Sequence, residues 1–243
     1  MKLSEVRSDD NLKVLVYGNS GSGKTCYAAG FPTPILYLDF DGKVDSAANY
    51  YAKDARLEEI EVRDLSKKMS SDPIEELIAI IDKELIPQEK AGAMKYKTIV
   101  LDSLTTFSSL CLSHIMRTNP GVKRTVSKQG AQACLQDYGI LKREFEKLIP
   151  GLLSLPCNIV MLGHIDTAKD ELTGELVRGP LMDGSFAKQL SIYFKEVYRS
   201  YVEGGKHLLQ TKSDYRYACR SQIKGVPDPM PMAYSEIEKA IRA

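Results

Sequence analysis

The chain has 243 residues, of which 43% are hydrophobic and 27% charged, and its net charge is +1. That length suits one large α/β domain, and the near-neutral charge argues against permanent wrapping around nucleic acid, although a local basic patch is not excluded. No run of about 18 apolar residues occurs, so no membrane span is expected. Met1-Lys2-Leu3-Ser4-Glu5 lacks the apolar core of a signal peptide, which points to the cytoplasm. The five cysteines are scattered and form no C-x-x-C pair, which suggests reduced, mostly buried thiols and neither a zinc site nor a disulfide framework.

Residues 1–12 read as a polar lead-in. Lys13–Tyr17 is an apolar strand, followed by a glycine-rich loop and a helix running to about Gly30. Phe31-Pro32-Thr33-Pro34 is a turn, and Ile35–Asp39 is a second strand that ends in Asp39-Phe40-Asp41-Gly42. A polar helix or loop covers about 46–55, and Ile60–Val62 is a short strand. Asp72-Pro73 starts a helix with Ile74, Leu77, Ile78, Ile81 and Leu85 at helical spacing, and Pro87–Ala93 is a loop. Thr98–Ser103 is a buried strand, and a helix runs from about Thr105 to Met116. After an irregular basic stretch at 120–130, a long helix over 131–148 carries Leu135, Tyr138, Leu141, Phe145 and Leu148 on one face. Cys157–His164 is another buried strand. Residues 166–184 lack periodicity and are expected to form a long mobile loop. Strands follow at Tyr193–Val202, His207–Thr211 and Tyr215–Ser221, then a turn at Pro227–Pro231 and a closing helix near Ser235–Ile241. Strands alternating with helices predict an α/β fold, a mostly parallel sheet with an antiparallel edge, in a single domain over 1–243. Residues 226–243 form its C-terminal turn and helix.

Gly18-Asn19-Ser20-Gly21-Ser22-Gly23-Lys24-Thr25 fits G-x-x-x-x-G-K-[ST] between a strand and a helix that opens at Cys26. Glycines let successive backbone N–H groups face one phosphate chain, and the helix N-terminus adds positive potential. Lys24 is placed for the β- and γ-phosphates and Thr25 for Mg2+, so the loop predicts a nucleoside triphosphate, ATP first.

Asp102 ends a strand, where an acid either serves the Mg2+ shell or caps the next helix. Asp39 and Asp41 sit two apart, on what reads as extended backbone facing one way. Asp41, further toward the carboxyl edge of the sheet, is preferred as the residue that polarises a water, from a strand neighbouring the phosphate loop. A solvated Asp-Gly turn is the alternative. His164 is placed to sense a γ-phosphate and pass its presence to the following loop, or is simply a polar strand end.

Gly18–Thr25, Leu36–Asp41, Ile99–Ser103 and Val160–His164, in that order, resemble the RecA-like recombinase superfamily over roughly residues 12–225. More narrowly, the chain is similar to compact phage-encoded single-strand annealing ATPases with an AAA-type P-loop. The resemblance implies a RecA-like P-loop NTPase fold and a homo-oligomeric ring or filament, with ATP and Mg2+ at subunit interfaces. It also implies annealing or recombination on single-stranded DNA, a single-strand-binding protein as a further partner, and the host cytoplasm if phage-encoded. Asp41 falls where the family has a catalytic glutamate, and His164 where it has a glutamine coupling nucleotide to DNA. Both are departures from the family pattern, and the shorter carboxylate of Asp41 implies slow hydrolysis. Arg220 is the first choice for a basic residue acting on the neighbouring subunit's site, with Arg216 and Lys224 as the other candidates.

The family's DNA-binding loops match about 117–130 and 165–185. The first stretch holds Arg117, Lys123, Arg124 and Lys128 with no acidic residue; the second holds Lys169 and Arg178 among acids. The first stretch lacks aromatics for base stacking, and a solvated surface loop is the plain alternative. Three other function classes compete: a small-molecule or nucleotide kinase, a non-hydrolysing nucleotide switch and a helicase motor. A kinase lid usually carries several arginines, and 165–185 has only Arg178. The helicase reading is weakened by the single-domain expectation.

Overall fold

A computed structural model describes residues 11–66, 72–128, 130–169 and 176–242. β1 (Lys13–Gly18) leads through the glycine loop into α1 (Lys24–Ala29). β2 (Ile35–Asp39), α2 (Asp45–Tyr50), a 3-10 turn (Ala55–Glu59) and β3 (Ile60–Asp64) follow. Next come α3 (Pro73–Ile80), a π-turn (Ile81–Leu85), α4 (Ile86–Lys90), β4 (Thr98–Asp102) and α5 (Leu104–Thr118). A small hairpin, β5 (Val126–Ser127) and β6 (Gly130–Ala131), precedes α6 (Leu135–Ser154) and β7 (Asn158–Gly163). A second hairpin pairs β8 (Ile165–Lys169) with β9 (Leu176–Pro180). The chain continues through α7 (Ala187–Leu190), β10 (Glu196–Glu203), β11 (Lys206–Gln210), β12 (Met230–Pro231) and α8 (Tyr234–Arg242).

The central sheet runs in the order β12-β11-β10-β1-β7-β4-β2-β3. Pairings from β10 to β3 are parallel, and β11 and β12 add an antiparallel edge. This is the α/β fold predicted, with helices on both faces. β1, β2, β4 and β7 are buried throughout, as covered parallel strands must be. The period-2 alternation splits each strand between two cores. Leu15, Leu36, Leu101 and Met161 meet α3, α5 and α6 through Leu77, Phe107 and Phe145. Val14, Tyr37, Val100 and Leu162 meet α1 and α8 through Tyr27 and Ile237. Among the described residues no helix is long and apolar enough to cross a membrane.

Several expectations change. Asp72 caps α3, accepting from the Ile74 N–H at 3.0 Å, with Pro73 in the first turn as expected. The loop predicted at Pro87 is helical to Lys90, Pro87 following directly on the widened π-turn Ile81–Leu85. α6 runs later than expected, and its buried face is Leu141, Phe145, Ile149 and Leu152; Leu135 is 91% exposed. The flanks of the loop expected at 166–184 form the β8–β9 hairpin, while residues 170–175 and nearly all of the lead-in at 1–12 lie outside the described residues. The strand expected at Tyr215–Ser221 is a set of turns with isolated bridges to Arg178 and Val197. There the Asp214 carboxylate accepts from the N–H groups of Arg216 and Tyr217, both at 2.7 Å, and competes with a ladder.

Candidate functional site

The phosphate loop turns where its glycines require it. Gly21 and Gly23 have φ of 76° and 93°, values that L side chains rarely adopt. Gly18 faces Ser200 of β10 so closely that a Cβ would lie 2.3 Å from the Ser200 carbonyl oxygen. Ser22 braces the turn, its hydroxyl bonded to the Asn19 carbonyl at 2.8 Å and to the Ser200 hydroxyl at 2.7 Å. His207 of β11 packs Nδ1 against the Ser22 carbonyl at 2.9 Å. Asn19, Ser20 and Gly21 are exposed at the crest of the loop.

Lys24, 7% exposed, donates to the carbonyls of Gly18 at 2.9 Å and Asn19 at 2.8 Å. Burial pulls its ammonium pKa below the ordinary value, against the opposing pull of the Asp102 and Asp41 carboxylates. The Thr25 hydroxyl donates to Asp102 Oδ2 at 2.8 Å, and the Tyr37 hydroxyl donates to the same oxygen at 2.7 Å. Burial raises the Asp102 carboxyl above the usual carboxylate range despite these two donors. The helix-capping alternative for Asp102 does not hold. The cap of α5 is Ser103, whose hydroxyl accepts from the Thr106 N–H at 3.3 Å.

Asp39 and Asp41 separate. β2 ends at Asp39, so Asp41 lies on loop rather than extended backbone, and the two do not share a face. Asp39 accepts from the N–H groups of Asp41, Gly42 and Val44 at 3.1, 2.8 and 3.1 Å, fixing the turn. That turn delivers Asp41 into the cleft, where it accepts from the hydroxyls of Ser103 (2.9 Å) and Thr106 and faces His164 Nε2 at 3.4 Å. Burial raises the Asp41 carboxyl, but the bonds from His164, Thr106 and Ser103 prevail and hold it well below the usual carboxylate range. The expectation that β2 neighbours the phosphate-loop strand is corrected: β7 and β4 lie between β1 and β2.

His164 stands at the junction of the cleft and the β8–β9 hairpin. Its N–H donates to the Thr105 hydroxyl at 3.0 Å, its carbonyl accepts from the Leu181 N–H at 2.8 Å, and Thr105 donates to the Leu181 carbonyl at 2.8 Å. Lys24, Thr25, Asp41, Asp102 and His164 therefore converge on one cleft of about 520 Å³. Cys26 also lines it, half-buried, its thiol directed at the Ser46 carbonyl at 3.6 Å.

Sequence reasoning missed Tyr37, Thr106, His207 and the Tyr50–Tyr51 pair that walls the cleft with ring centroids 4.8 Å apart. Only Thr106 left a readable signal, three residues after a Ser that closes a strand. The others come together through the sheet order and the packing of α2.

The remaining site residues lie apart from the cleft. Arg117 and His114 both hold Asp72. Arg124 grips buried Asp137 through both carboxylate oxygens, at 2.9 and 2.6 Å, and Asp137 also accepts from the Cys134 N–H to cap α6. Lys123 and Lys128 are exposed. Arg178 of β9 lies over the Tyr217 ring, and the side chain of Lys169 lies outside the described residues. Arg220 is exposed but folded back on the chain, its Nε donating to the Phe194 carbonyl at 2.9 Å and its terminal nitrogen to the carbonyls of Ser191 and Phe194.

A glycine loop at the end of a buried parallel strand, with a lysine, a threonine and an acid across the sheet, defines a P-loop nucleotide-binding domain. Residues 10–222 match the AAA domain family, and the chain belongs to it. No curated protein is similar to it by sequence. Among solved structures, the KaiC-like protein PH0186 of the hyperthermophilic archaeon Pyrococcus horikoshii OT3 is 13% identical, over 82% of this chain and 77% of its own, with a TM-score of 0.42. The RadB recombinase is 11% identical, over 90% of this chain and 84% of its own, with a TM-score of 0.44.

Proposed function

We propose that the chain is one RecA-like unit that binds and slowly hydrolyses ATP with Mg2+ and binds single-stranded DNA, promoting annealing or recombination. The observation that carries the ATPase part is the convergence of Lys24, Thr25, Asp102, Asp41 and His164 on one cleft. The donor set suits Mg2+: the Thr25 hydroxyl and the Asp102 carboxylate are hard oxygens, and burial leaves Asp102 under-compensated. When bound, the metal would neutralise phosphate charge. Lys24 exchanges the carbonyls of Gly18 and Asn19 for phosphate oxygens, and the loop N–H groups and the start of α1 hold the rest of the chain of phosphates.

Asp41 is the acceptor for the attacking water. Its carboxylate is held ionised and already takes bonds from Ser103 and Thr106, so it orients water well and accepts a proton poorly. Slow turnover follows from that chemistry. His164 touches Asp41 and anchors the start of the β8–β9 hairpin, which gives a direct route between nucleotide state and hairpin. Lys123 and Lys128 supply the electrostatic contact to DNA phosphates, since Arg117 and Arg124 are held by carboxylates. Assembly into a ring or filament requires Arg220, or Arg216 or Lys224 beside it, to reach the neighbouring site, and Arg220 would have to leave the carbonyls it now holds.

The test is ATP turnover with and without single-stranded DNA, read beside particle size. Slow turnover, stimulated by DNA and abolished by Lys24→Ala, is expected. Turnover insensitive to DNA, with no DNA retained at low salt, refutes the DNA part. Phosphate transfer to a nucleoside or sugar would establish the kinase alternative. Nucleotide binding without turnover would establish the switch, the alternative favoured by the saturated Asp41.

A further inference from the structure

We infer that Tyr201, Tyr215 and Tyr217, interleaved with Arg178, Arg199 and Arg216, form a stacking surface for the bases of single-stranded DNA. The inference rests on the DNA-binding reading above and gives the bases a place, which the basic stretch at 117–130, having no aromatic residue, does not supply. The Arg199 guanidinium lies 3.7 Å from the Tyr217 ring centroid and 4.7 Å from that of Tyr201. Arg178 lies 5.4 Å from the Tyr217 centroid, and Arg216 lies 4.9 Å from that of Tyr215. Cations and rings thus alternate across β9, β10 and the turns that follow β11.

The surface is built from three separate segments. The Arg178 N–H donates to the Arg216 carbonyl at 2.8 Å, which fastens the β8–β9 hairpin to the 214–217 turn. Asp214 fixes that turn by accepting from two backbone N–H groups and from the Gln210 amide at 3.1 Å. Arg199 is the register partner of Tyr17, one residue before the phosphate loop begins, so the surface adjoins the nucleotide end of the sheet.

Two features exceed what packing needs. Tyr215 is 70% exposed, so its ring contributes little to any core. None of the three guanidinia has a carboxylate within ion-pair distance among the described residues. From Arg199 to Tyr217 the chain carries four cationic residues against two acidic ones. One exposed ring, Tyr215, and two half-buried ones, Tyr201 and Tyr217, set among guanidinia that have no carboxylate partner among the described residues, match what an unpaired strand offers, flat bases and anionic phosphates. A duplex hides its base faces, which makes the single strand the fitting ligand.

The experiment is anisotropy of a fluorescein-labelled oligothymidylate on the full chain at one fixed low salt, beside an abasic oligonucleotide of equal length. Wild type should prefer the oligothymidylate. Tyr215→Ala should weaken it roughly 5- to 150-fold and remove the preference over the abasic strand. Tyr215→Phe, which keeps the ring, should bind as wild type, and ATP affinity should be unchanged in both. Photocrosslinking from 5-iodouracil should map to the 211–217 segment. If wild type binds the oligothymidylate and Tyr215→Ala and Arg216→Ala bind it equally well, the inference falls and the DNA-binding reading stands. If Tyr215→Phe behaves as Tyr215→Ala, ring stacking is refuted. If wild type retains no oligonucleotide with or without ATP, the DNA-binding reading falls and takes the inference with it.

Discussion

Replacing Asp102 with Asn separates a structural carboxylate from a functional one. Asp102 is 5% exposed, and Oδ2 accepts from Tyr37 at 2.7 Å and Thr25 at 2.8 Å. An Asn side-chain oxygen can accept both bonds in the same geometry, but without charge. A hydrogen bond to an ionised group is worth about 1.5–3 kcal/mol and a neutral one about 0.5–1.5, so the two together lose about 2–3 kcal/mol. Removing an ionised group from a buried site relieves a desolvation cost of several kcal/mol. The terms nearly cancel, and stability should stay within about 2 kcal/mol of wild type, a Tm change under about 8 °C for a chain of this size. Turnover should fall at least about 100-fold, because a hard-oxygen ligand and its charge are lost where phosphate charge must be neutralised. Thermal unfolding, nucleotide affinity with and without Mg2+, and turnover read the outcome. A Tm drop beyond about 10 °C with wild-type turnover per folded molecule would refute the reasoning and make Asp102 only an acceptor for Tyr37.

Gly18→Ala and Gly21→Ala should differ by mechanism. At Gly18 the new Cβ meets a strand carbonyl at 2.3 Å and should cost about 3 kcal/mol. At Gly21 there is open space but φ is 76°, for about 1 kcal/mol. Urea unfolding in the opposite rank would contradict the close β1–β10 approach. The bonds from Arg124 lead the interactions that hold the Asp137 carboxyl well below the usual range, so its stabilisation is present at neutral pH and lost as pH falls below about 4. Asp137→Asn should be less stable at pH 7 with a flatter acid limb, and an unchanged acid limb would assign acid lability elsewhere. Lys123→Ala and Lys128→Ala should each lower the slope of log affinity for single-stranded DNA against log salt by about 0.7. Tyr215→Ala should leave that slope unchanged, so equal slopes in all three would remove the phosphate role of the lysines.

The sheet strands could be read from sequence because covered parallel strands are apolar on both faces, so Val14–Tyr17, Ile35–Leu38, Ile99–Leu101 and Ile159–Leu162 stand out without any alternation. The phosphate loop could be read because its glycines answer local backbone demands. What failed depends on distant partners. Leu135 fits the helical spacing yet is exposed, since the seat of α6 on α5 is set by Leu141, Phe145 and Ile149. Arg124 and Lys128 look alike in sequence, and only the fold brings Asp137 to the first. The Tyr215–Ser221 run has strand composition, but a single side chain, Asp214, redirects its N–H groups.

The sheet order explains how His164 comes to stand in the cleft. β7 is inserted between β1, which ends at the phosphate loop, and β4, which ends at Asp102. Whatever residue follows β7 emerges between Lys24 and Asp102. Here that residue immediately precedes β8, so the cleft and the hairpin share one backbone. Asp41 arrives from two strands farther away, through a turn held by Asp39, and meets His164 at 3.4 Å. A displacement of Asp41 toward a bound phosphate therefore alters a contact made by the residue whose N–H and carbonyl hold the hairpin to Thr105 and Leu181. The Arg178–Arg216 bond passes that hairpin on to the tyrosine surface. On the proposed function, the nucleotide cleft and the tyrosine surface are joined by the Asp41–His164 side-chain contact, the bonds of His164 to Thr105 and Leu181, and the Arg178–Arg216 backbone bond.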